Sequence, residues 1–477
     1  MSRSFHKVAR LTFIGTASAG AGRFIYLVLV GRLLGPTILG DVSVLLAIIV
    51  MIGGFIQLSI GDAATKFVAE SCGNNAIEKG IQQYSGLVTL SLVLIFLSGS
   101  IIIAMNEIIA TLGVVLFSIF DITIFLLLIG GFVSYTLVRA GFYGFGLAKE
   151  YSLLEVILNI VFILLTYFLI ISNADLVIAP LFVLYIGISV LGLIFLYSKH
   201  LFHVSFSDSR SLFTLESGMM KFVGLTSLIG LSGLVNGFAP IMMSFFLTAS
   251  EIGFYAAASS FMIFVTFLPL VFNRTTLPTI SYIFGTGEKE DVKRFVNKGL
   301  KLVTESQIFF PMSLILLSSI GLFIMYGAGY NESVLTLRLL SINAFVSGIA
   351  SYLYNVLAGT NNVEKGVWAS LVSTFFIVLS WLTMIPLFGI VGAAFALLIS
   401  AIVRLVLMAY WTHMEFPLKI SFKTIAIFMA SFVLVVAGIT LEFIFPSWDF
   451  YILAVSEGLL FLLLIKPVIG AFRRMEP

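Results

Sequence analysis

The sequence predicts an all-α membrane protein of fourteen transmembrane helices. These form two six-helix bundles of the same orientation around a central cavity, with two additional helices at the C-terminal end. Three observations predict it. The 477-residue chain is 60% hydrophobic and 10% charged, with a mean hydropathy of +1.14, which leaves too few charges to cover a soluble protein of this size. Fourteen apolar stretches, each about long enough to cross a bilayer, are separated by short gaps. Basic residues favour every second gap. Helices are required rather than a barrel, because runs such as Leu87–Ala104 and Ile425–Val436 do not alternate.

The first span, 11–34, follows the basic segment MSRSFHKVAR. That segment looks like the start of a signal peptide, but no cleavage site ends a short apolar core. The apolar stretch runs on through Arg23 to Leu34 and reads as an uncleaved first helix. Spans at 40–60, 82–105, 121–145, 151–171 and 176–197 complete an N-terminal bundle, residues 1–200, with Ile108–Phe120 a candidate interfacial segment. A cytoplasmic linker, 201–216, leads to a second bundle, residues 217–413. Its spans are 217–247, 251–273, 300–325, 334–357, 364–385 and 389–412. Residues 414–477 hold two more spans, 421–442 and 448–467, and a tail. In 287–301, Val292, Phe295, Val296 and Leu300 recur at helical spacing among charges. This predicts an amphipathic helix lying on the inner membrane surface, a solvated connector being the alternative.

With the N-terminus in the cytoplasm, the inner gaps collect Arg3, Lys7, Arg10, Lys66, Lys79, Lys149, Lys199, Arg210, Lys221, the dense stretch Arg274–Lys301, Lys365, Lys419, Lys423, Lys466, Arg473 and Arg474. The outer gaps carry mainly acids, among them Glu107, Asp121, Asp175, Glu251, Glu332 and Glu442, with Arg32 and Arg338 as the basic exceptions. The positive-inside rule then places both termini in the cytoplasm of a plasma-membrane protein. Arg338 reads as an anchor at the outer interface. A net charge of +3 spread over loops does not suggest nucleic acid. The single cysteine, Cys72, excludes an internal disulfide.

The first six spans and the next six align with an offset of about 213 residues. Gly40 answers Gly253, the charged segment 74–84 answers 289–299, and Gly146 answers Gly359 just before the fifth span of each half. An even repeat gives halves of equal orientation, related by an axis along the membrane normal, with a site at their interface.

The stretch GRLLGPTILGDVSVLLAIIVMIGGFIQLSIGDAATKFVAE (31–70) resembles the opening signature of the polysaccharide transporter family. The matching positions are the turn Arg32–Pro36, Gly40, Gly61 and Phe67–Glu70. Asp41 and Asp62 depart from the family pattern, so no role comes to them from it. The family is similar in fold to multidrug and toxin extruders and lipid II flippases. The resemblance implies a flippase that moves a polyprenyl-diphosphate-linked oligosaccharide from the cytoplasmic to the outer leaflet, for cell-surface polysaccharide or glycoconjugate assembly. It implies as partners the lipid-linked oligosaccharide, membrane lipids and a glycan polymerase or glycosyltransferases, with the protein acting as a monomer and without nucleic acid.

Arg23 is the sharpest candidate for a substrate contact, since a charge inside a span is costly unless it faces water, a partner or an anion. Thr12, Thr16, Ala19, Arg23 and Tyr26 share one helical stripe. An arginine offers the planar donor fork that phosphate oxygens accept; outward snorkelling, or pairing with a carbonyl, is the alternative. Asn236 occupies the aligned place in span seven, before Pro240. Arg139, Arg274 and Arg404 lie near inner ends of spans, where they would greet the diphosphate or snorkel to headgroups. The small-residue run GTASAGAG (15–22) lacks the ending of a phosphate-binding loop and reads as a close-packing helix face or a flexible point in a moving helix.

No catalytic constellation emerges, and His200 with His203 is too little for a metal site. The rival readings are a cation-coupled multidrug exporter of the same fold and a membrane glycosyltransferase or ligase using the same lipid carrier. An exporter needs a membrane-embedded carboxylate for H⁺ or Na⁺. Spans one and seven hold none, and the cavity candidates are cationic, which favours an anionic substrate. A glycosyltransferase would need sizeable outer loops, and the outer gaps are short. No cofactor is expected, and whether H⁺ or Na⁺ drives the cycle stays open.

Overall fold

The computed structural model describes residues 2–57, 59–111, 119–172, 177–202, 223, 227, 230, 234–266, 276, 279–280, 283–284, 289–360, 362–419, 422–444, 455–456 and 459–460. Among these every regular element is a helix. Among the described residues nine helices are long and apolar enough to cross a membrane, ten if a bent pair is counted as one span. The protein is a multi-pass, all-α membrane protein. Chain contacts divide it into two units, one of residues 1–33 and 44–238, the other of residues 34–43 and 239–477.

In the first unit α1 (Ser2–Leu34) is one unbroken helix. Gly35, at φ +91°, turns the chain, and Pro36 opens α2 (Pro36–Gln57). Glycine after a helix end and proline at a helix start suit these positions by backbone conformation alone. Span two breaks at Ser59, held in the left-handed region at φ 57°. The predicted gap after it is a helix, α3 (Ile60–Gly73), whose Ile60, Ala63, Ala64 and Val68 are buried. Its Thr65 hydroxyl donates to Gly61 O at 3.0 Å, and a Cβ on Gly144 would press into Val68. The alternation of small and apolar residues in this segment therefore makes a packed helix of what its charges suggested was a loop. Then follow α4 (Ile77–Thr111), which runs past the predicted end of its span, α5 (Ile119–Gly144) and α6 (Ala148–Ile171). Between α5 and α6, Gly146 takes φ +75° and closes the turn, with Leu147 N donating to Phe142 O at 2.7 Å. Span six is α7 (Ala179–Phe182), a π-helical turn (Val183–Gly187) and α8 (Ile188–Ser198).

The second unit contains a contact that gives the duplication physical form. It includes the start of α2 together with α9 (Ala239–Ser244) and α10 (Ala249–Ser260). A Cβ on Gly40 would collide with Ala249 O, and a Cβ on Gly253 with Pro36 O. Adding 213 to Pro36 and Gly40 gives 249 and 253, so the contact maps onto itself, as at an isologous interface. The helix starts are fixed by different chemistry. Pro36 does it for α2, and a capping box does it for α10, where Thr248 N donates to Glu251 at 2.8 Å and Thr248 Oγ1 accepts from Glu251 N at 3.4 Å. Gly146 and Gly359 match in position but not in conformation, since Gly359 stays helical and Thr360 ends the helix.

The segment 287–301 does not lie flat on a surface. From Lys289 it forms the first turns of α11 (Lys289–Leu316). Val292, Val296 and Leu300 are buried with Tyr352, Leu353, Val356 and Leu357 of α13 (Ser333–Gly359). Tyr352 donates its hydroxyl to Val296 O at 3.0 Å. The periodicity was correctly helical, but its apolar face is taken by protein. At Leu317 the chain bends 64° into α12 (Ser318–Tyr326). Arg338 is not simply an interface anchor, because its Nε donates to Ser318 Oγ at 2.9 Å and to Ile315 O at 3.3 Å, covering polar groups at the break. Spans eleven and twelve are the two arms of α14 (Val363–Glu415), reversed at Gly389 (φ 58°, ψ −135°) and joined by Ser400 Oγ donating to Ser373 O at 2.9 Å. Span thirteen is α15 (Phe422–Ile444). Part of span seven and most of span fourteen lie outside the described residues.

Candidate functional site

The site begins with the small residues of α1. Gly15 lies against Ser152 of α6, and Gly22 lies against Asn159, where a Cβ would collide with Oδ1. Both pairs are seven residues apart on their helices, which is two turns, so the helices run in the same direction along one seam. The GTASAGAG run is thus a close-packing face, as its composition predicted. One residue beyond the seam, Arg23 is presented to a cavity of about 230 Å³.

That cavity is walled by Ala19, Arg23 and Tyr26 of α1, Phe132 and Tyr135 of α5, Glu155 and Asn159 of α6, and Tyr185 of the π-helical turn, with aliphatic residues between them. Three of the five residues in the predicted α1 stripe therefore share one wall; the side chains of Thr12 and Thr16 are outside the description. Tyr26 is fully buried, its ring 5.0 Å from that of Phe162, and its hydroxyl donates to Val177 O at 3.0 Å. Tyr185 packs against Phe132 and Tyr135 at 5.5 and 5.8 Å. The wider π-helical turn sits at a cavity wall, where such turns are often found in functional sites.

Glu155 is the residue that sequence reasoning missed. It is 1% exposed, and its Oε1 accepts from Tyr135 Oη at 2.9 Å. Its Oε2 has no hydrogen-bond partner, and neither does Oδ1 of Asn159, one turn further along α6. Asn159 Nδ2 donates to Glu155 O at 2.8 Å, which fixes the amide with its oxygen as the remaining acceptor. Two buried acceptors left unpaired suit a proton or a small cation. Arg139 lies in the field of Glu155, Tyr135 and Tyr151, with its guanidinium 5.8 Å from the Tyr143 ring centre. It therefore faces the interior of the unit. Among the described lining residues the cavity's one carboxylate is that of Glu155, from span five.

The described lining of the cavity does not include the other predicted residues. Arg404 belongs to the second unit, on α14, and its Nε is buried without a hydrogen-bond partner. Asn236 is in a 3₁₀ turn (Asn236–Phe238), with its side chain outside the description, and Arg274 lies outside the described residues. Among the described residues no group of three or more His, Cys, Asp or Glu could hold a metal ion.

Comparison with known proteins bears on the fold more than on the chemistry. No family model matches the chain. A relative from Haloferax volcanii named probable flippase AglR is 25% identical over 163 residues, a stretch that spans 34% of this chain and 34% of that protein. A structure of the lipid II flippase MurJ in an inward closed conformation superposes with a TM-score of 0.69 at 15% identity, covering 95% of this chain and 99% of the other. An inward-facing multidrug resistance transporter of the MATE family, within the MOP superfamily, gives 0.67 at 15% identity, covering 83% and 94%. With a match this complete over both chains, the protein shares the fold of these two solved transport proteins.

Proposed function

We propose that this protein is a flippase that carries a polyprenyl-diphosphate-linked oligosaccharide from the cytoplasmic to the outer leaflet of the plasma membrane by alternating access. The observation that carries the reading is Arg23, a membrane-embedded cation on the wall of an aromatic-lined cavity. A guanidinium in a site of low dielectric holds phosphate oxygens through two parallel hydrogen bonds, and its attraction is screened far less than in water. The aromatic wall suits a ligand with an apolar chain and a polar head. Support comes from the partial match to a probable flippase and from the shared fold with a lipid II flippase. The charge distribution over the gaps supports a topology with both termini in the cytoplasm. The protein moves its ligand without breaking a bond and works as a monomer alongside glycosyltransferases or a glycan polymerase.

A second reading, a cation-coupled exporter of the same fold, is favoured by one observation, the buried carboxylate and amide oxygens of Glu155 and Asn159. Under either reading these two acceptors are the proposed site for a coupling H⁺ or Na⁺.

Reconstitution in liposomes with a fluorescent lipid-linked oligosaccharide and a leaflet-accessibility readout tests the proposal. Flipping is expected from the unaltered protein. Arg23→Ala should cut the rate by more than tenfold, and Arg23→Lys, which keeps the charge and loses the fork, by less. Undiminished flipping in both variants, or ethidium transport without glycan transport, overturns it.

A further inference from the structure

A second cavity of about 200 Å³ lies in the same unit, lined by Gly54, Gln57, Ser59, Asp62, Ser227 and Gly230, with Leu234 at its edge. We infer that this cavity binds hydroxyl groups of the glycan, at sugars further along the chain than the one attached to the diphosphate. The inference rests on the flippase reading and adds to it a determinant of glycan length.

Three observations carry it. First, the cavity sits at the break in span two, where α2 stops at Gln57 and α3 starts at Ile60. Ser59 between them holds a left-handed conformation without glycine's freedom, φ 57°. Local strain of this kind is concentrated at ligand clamps and switch regions. Second, the side chains match a polyol. The Asp62 carboxylate accepts, the Gln57 amide both donates and accepts, the Ser59 hydroxyl does either, and the Ser227 hydroxyl, which donates to Val223 O at 2.6 Å, accepts. Among the described residues no basic side chain lines the cavity, and the Asp62 carboxylate opposes a phosphate there. Gly54 and Gly230 add stretches of wall without side chains.

Third, the two cavities are neighbours along α2. Leu46 lines the Arg23 cavity and Gly54 lines the second. Eight residues of helix separate them by about 12 Å at 1.5 Å per residue. Gly53 between them packs against the ring of Phe132, itself part of the Arg23 cavity wall. A diphosphate at Arg23 thus leaves the second cavity to be reached by a chain of sugars and not by the first ring alone.

The test compares two reconstituted substrates, a fluorescent polyprenyl diphosphate carrying a single sugar and one carrying an oligosaccharide. Each is measured below saturation with the full-length protein and with Asp62→Asn, Gln57→Ala and Ser227→Ala. Hydrogen bonds to a charged group or a desolvated amide correspond to roughly tenfold in affinity. The oligosaccharide rate should therefore fall about tenfold in the first two variants, and the single-sugar rate by distinctly less. Asp62 is exposed, so its variant is expected to fold; should it not, Ser227→Ala supplies the same comparison. Equal losses on both substrates, or none on either, overturn the inference while the flippase reading stands. Failure of the unaltered protein to flip either substrate overturns both.

Discussion

Replacing Gly40 and Gly253 by alanine, singly and together, is a direct test of the duplication. Each added methyl is aimed at a backbone carbonyl, Ala249 O for Gly40 and Pro36 O for Gly253, well inside the 3.0 Å below which real Cβ contacts essentially do not occur. Backbone cannot swing away as a side chain can, so the two helix starts must part. Overpacking of this kind costs about 2 kcal/mol, within a usual range of roughly 1–3. Two independent sites would then sum to about 4 kcal/mol. Here the contact maps onto itself under the 213-residue offset, so the parting that relieves one methyl also relieves the other. The double variant should be destabilised by only about 2–3 kcal/mol, a coupling of roughly 1–2 kcal/mol in a double-mutant cycle. Denaturant unfolding in detergent, followed by tryptophan fluorescence, reads all four proteins. Gly73→Ala, where a Cβ meets nothing within 4 Å, serves as a control expected within about 1 kcal/mol of the parent. Additive losses, or neutral single variants, would refute the self-complementary contact.

Two further outcomes follow from packing. Gly22→Ala drives a methyl into Asn159 Oδ1. It should lower stability by about 1–3 kcal/mol and reduce transport even though Arg23 is intact; adding Asn159→Ala should restore stability in part, measured by the same unfolding assay. Arg338→Leu removes the donor shared by Ser318 Oγ and Ile315 O at the α11–α12 bend. A loss of about 1–3 kcal/mol is expected, and a neutral result would show that the bend does not depend on this side chain.

The legibility of this chain in its sequence follows the range of the forces involved. Composition and charge rhythm are set by the bilayer, a uniform solvent, and they point to the fold class and the order of spans, while the turn at Gly35–Pro36 comes from the family resemblance. The α1 seam could be read because only small residues allow so close an approach. Arg23 could be read because an arginine inside a span is expensive wherever it points. Glu155 was not read, since it lies only four residues from the predicted start of span five at 151, where sequence alone does not separate a buried acid from a charge at a helix end. The helix begins at Ala148, and the neighbours that bury Glu155 come from α5. The π-helical turn carrying Tyr185 and the helix α3 have no period distinct from an ordinary apolar run, and tertiary packing alone sets them. Segment 287–301 shows the same limit, because amphipathicity reports a buried face but not whether lipid or protein buries it.

Glu155 also changes how the two functional readings can be separated. The carboxylate shares a wall with Arg23, and Tyr135, Tyr151, Tyr185 and Arg139 are the other charged or titratable groups facing it. With Glu155 ionised, an anion at Arg23 meets a neighbouring negative charge. With it neutralised by a proton or paired with Na⁺, that opposition is gone. Two unit charges roughly 6 Å apart at an effective dielectric of about 20 interact by about 3 kcal/mol, which corresponds to on the order of a hundredfold in affinity. The sign depends on the ligand. An anionic lipid diphosphate binds more tightly when the site takes up a proton or cation, so the two travel together. A cationic drug binds more tightly when Glu155 is bare, so the two exchange. Binding of a polyprenyl diphosphate should therefore strengthen as pH falls, and Glu155→Gln should hold the tight state at every pH. Titrating fluorescent polyprenyl diphosphate and ethidium against both proteins across pH decides between them. Tighter ethidium binding at high pH, lost in Glu155→Gln, with no pH effect on the diphosphate, would sink the flippase reading and leave the exporter.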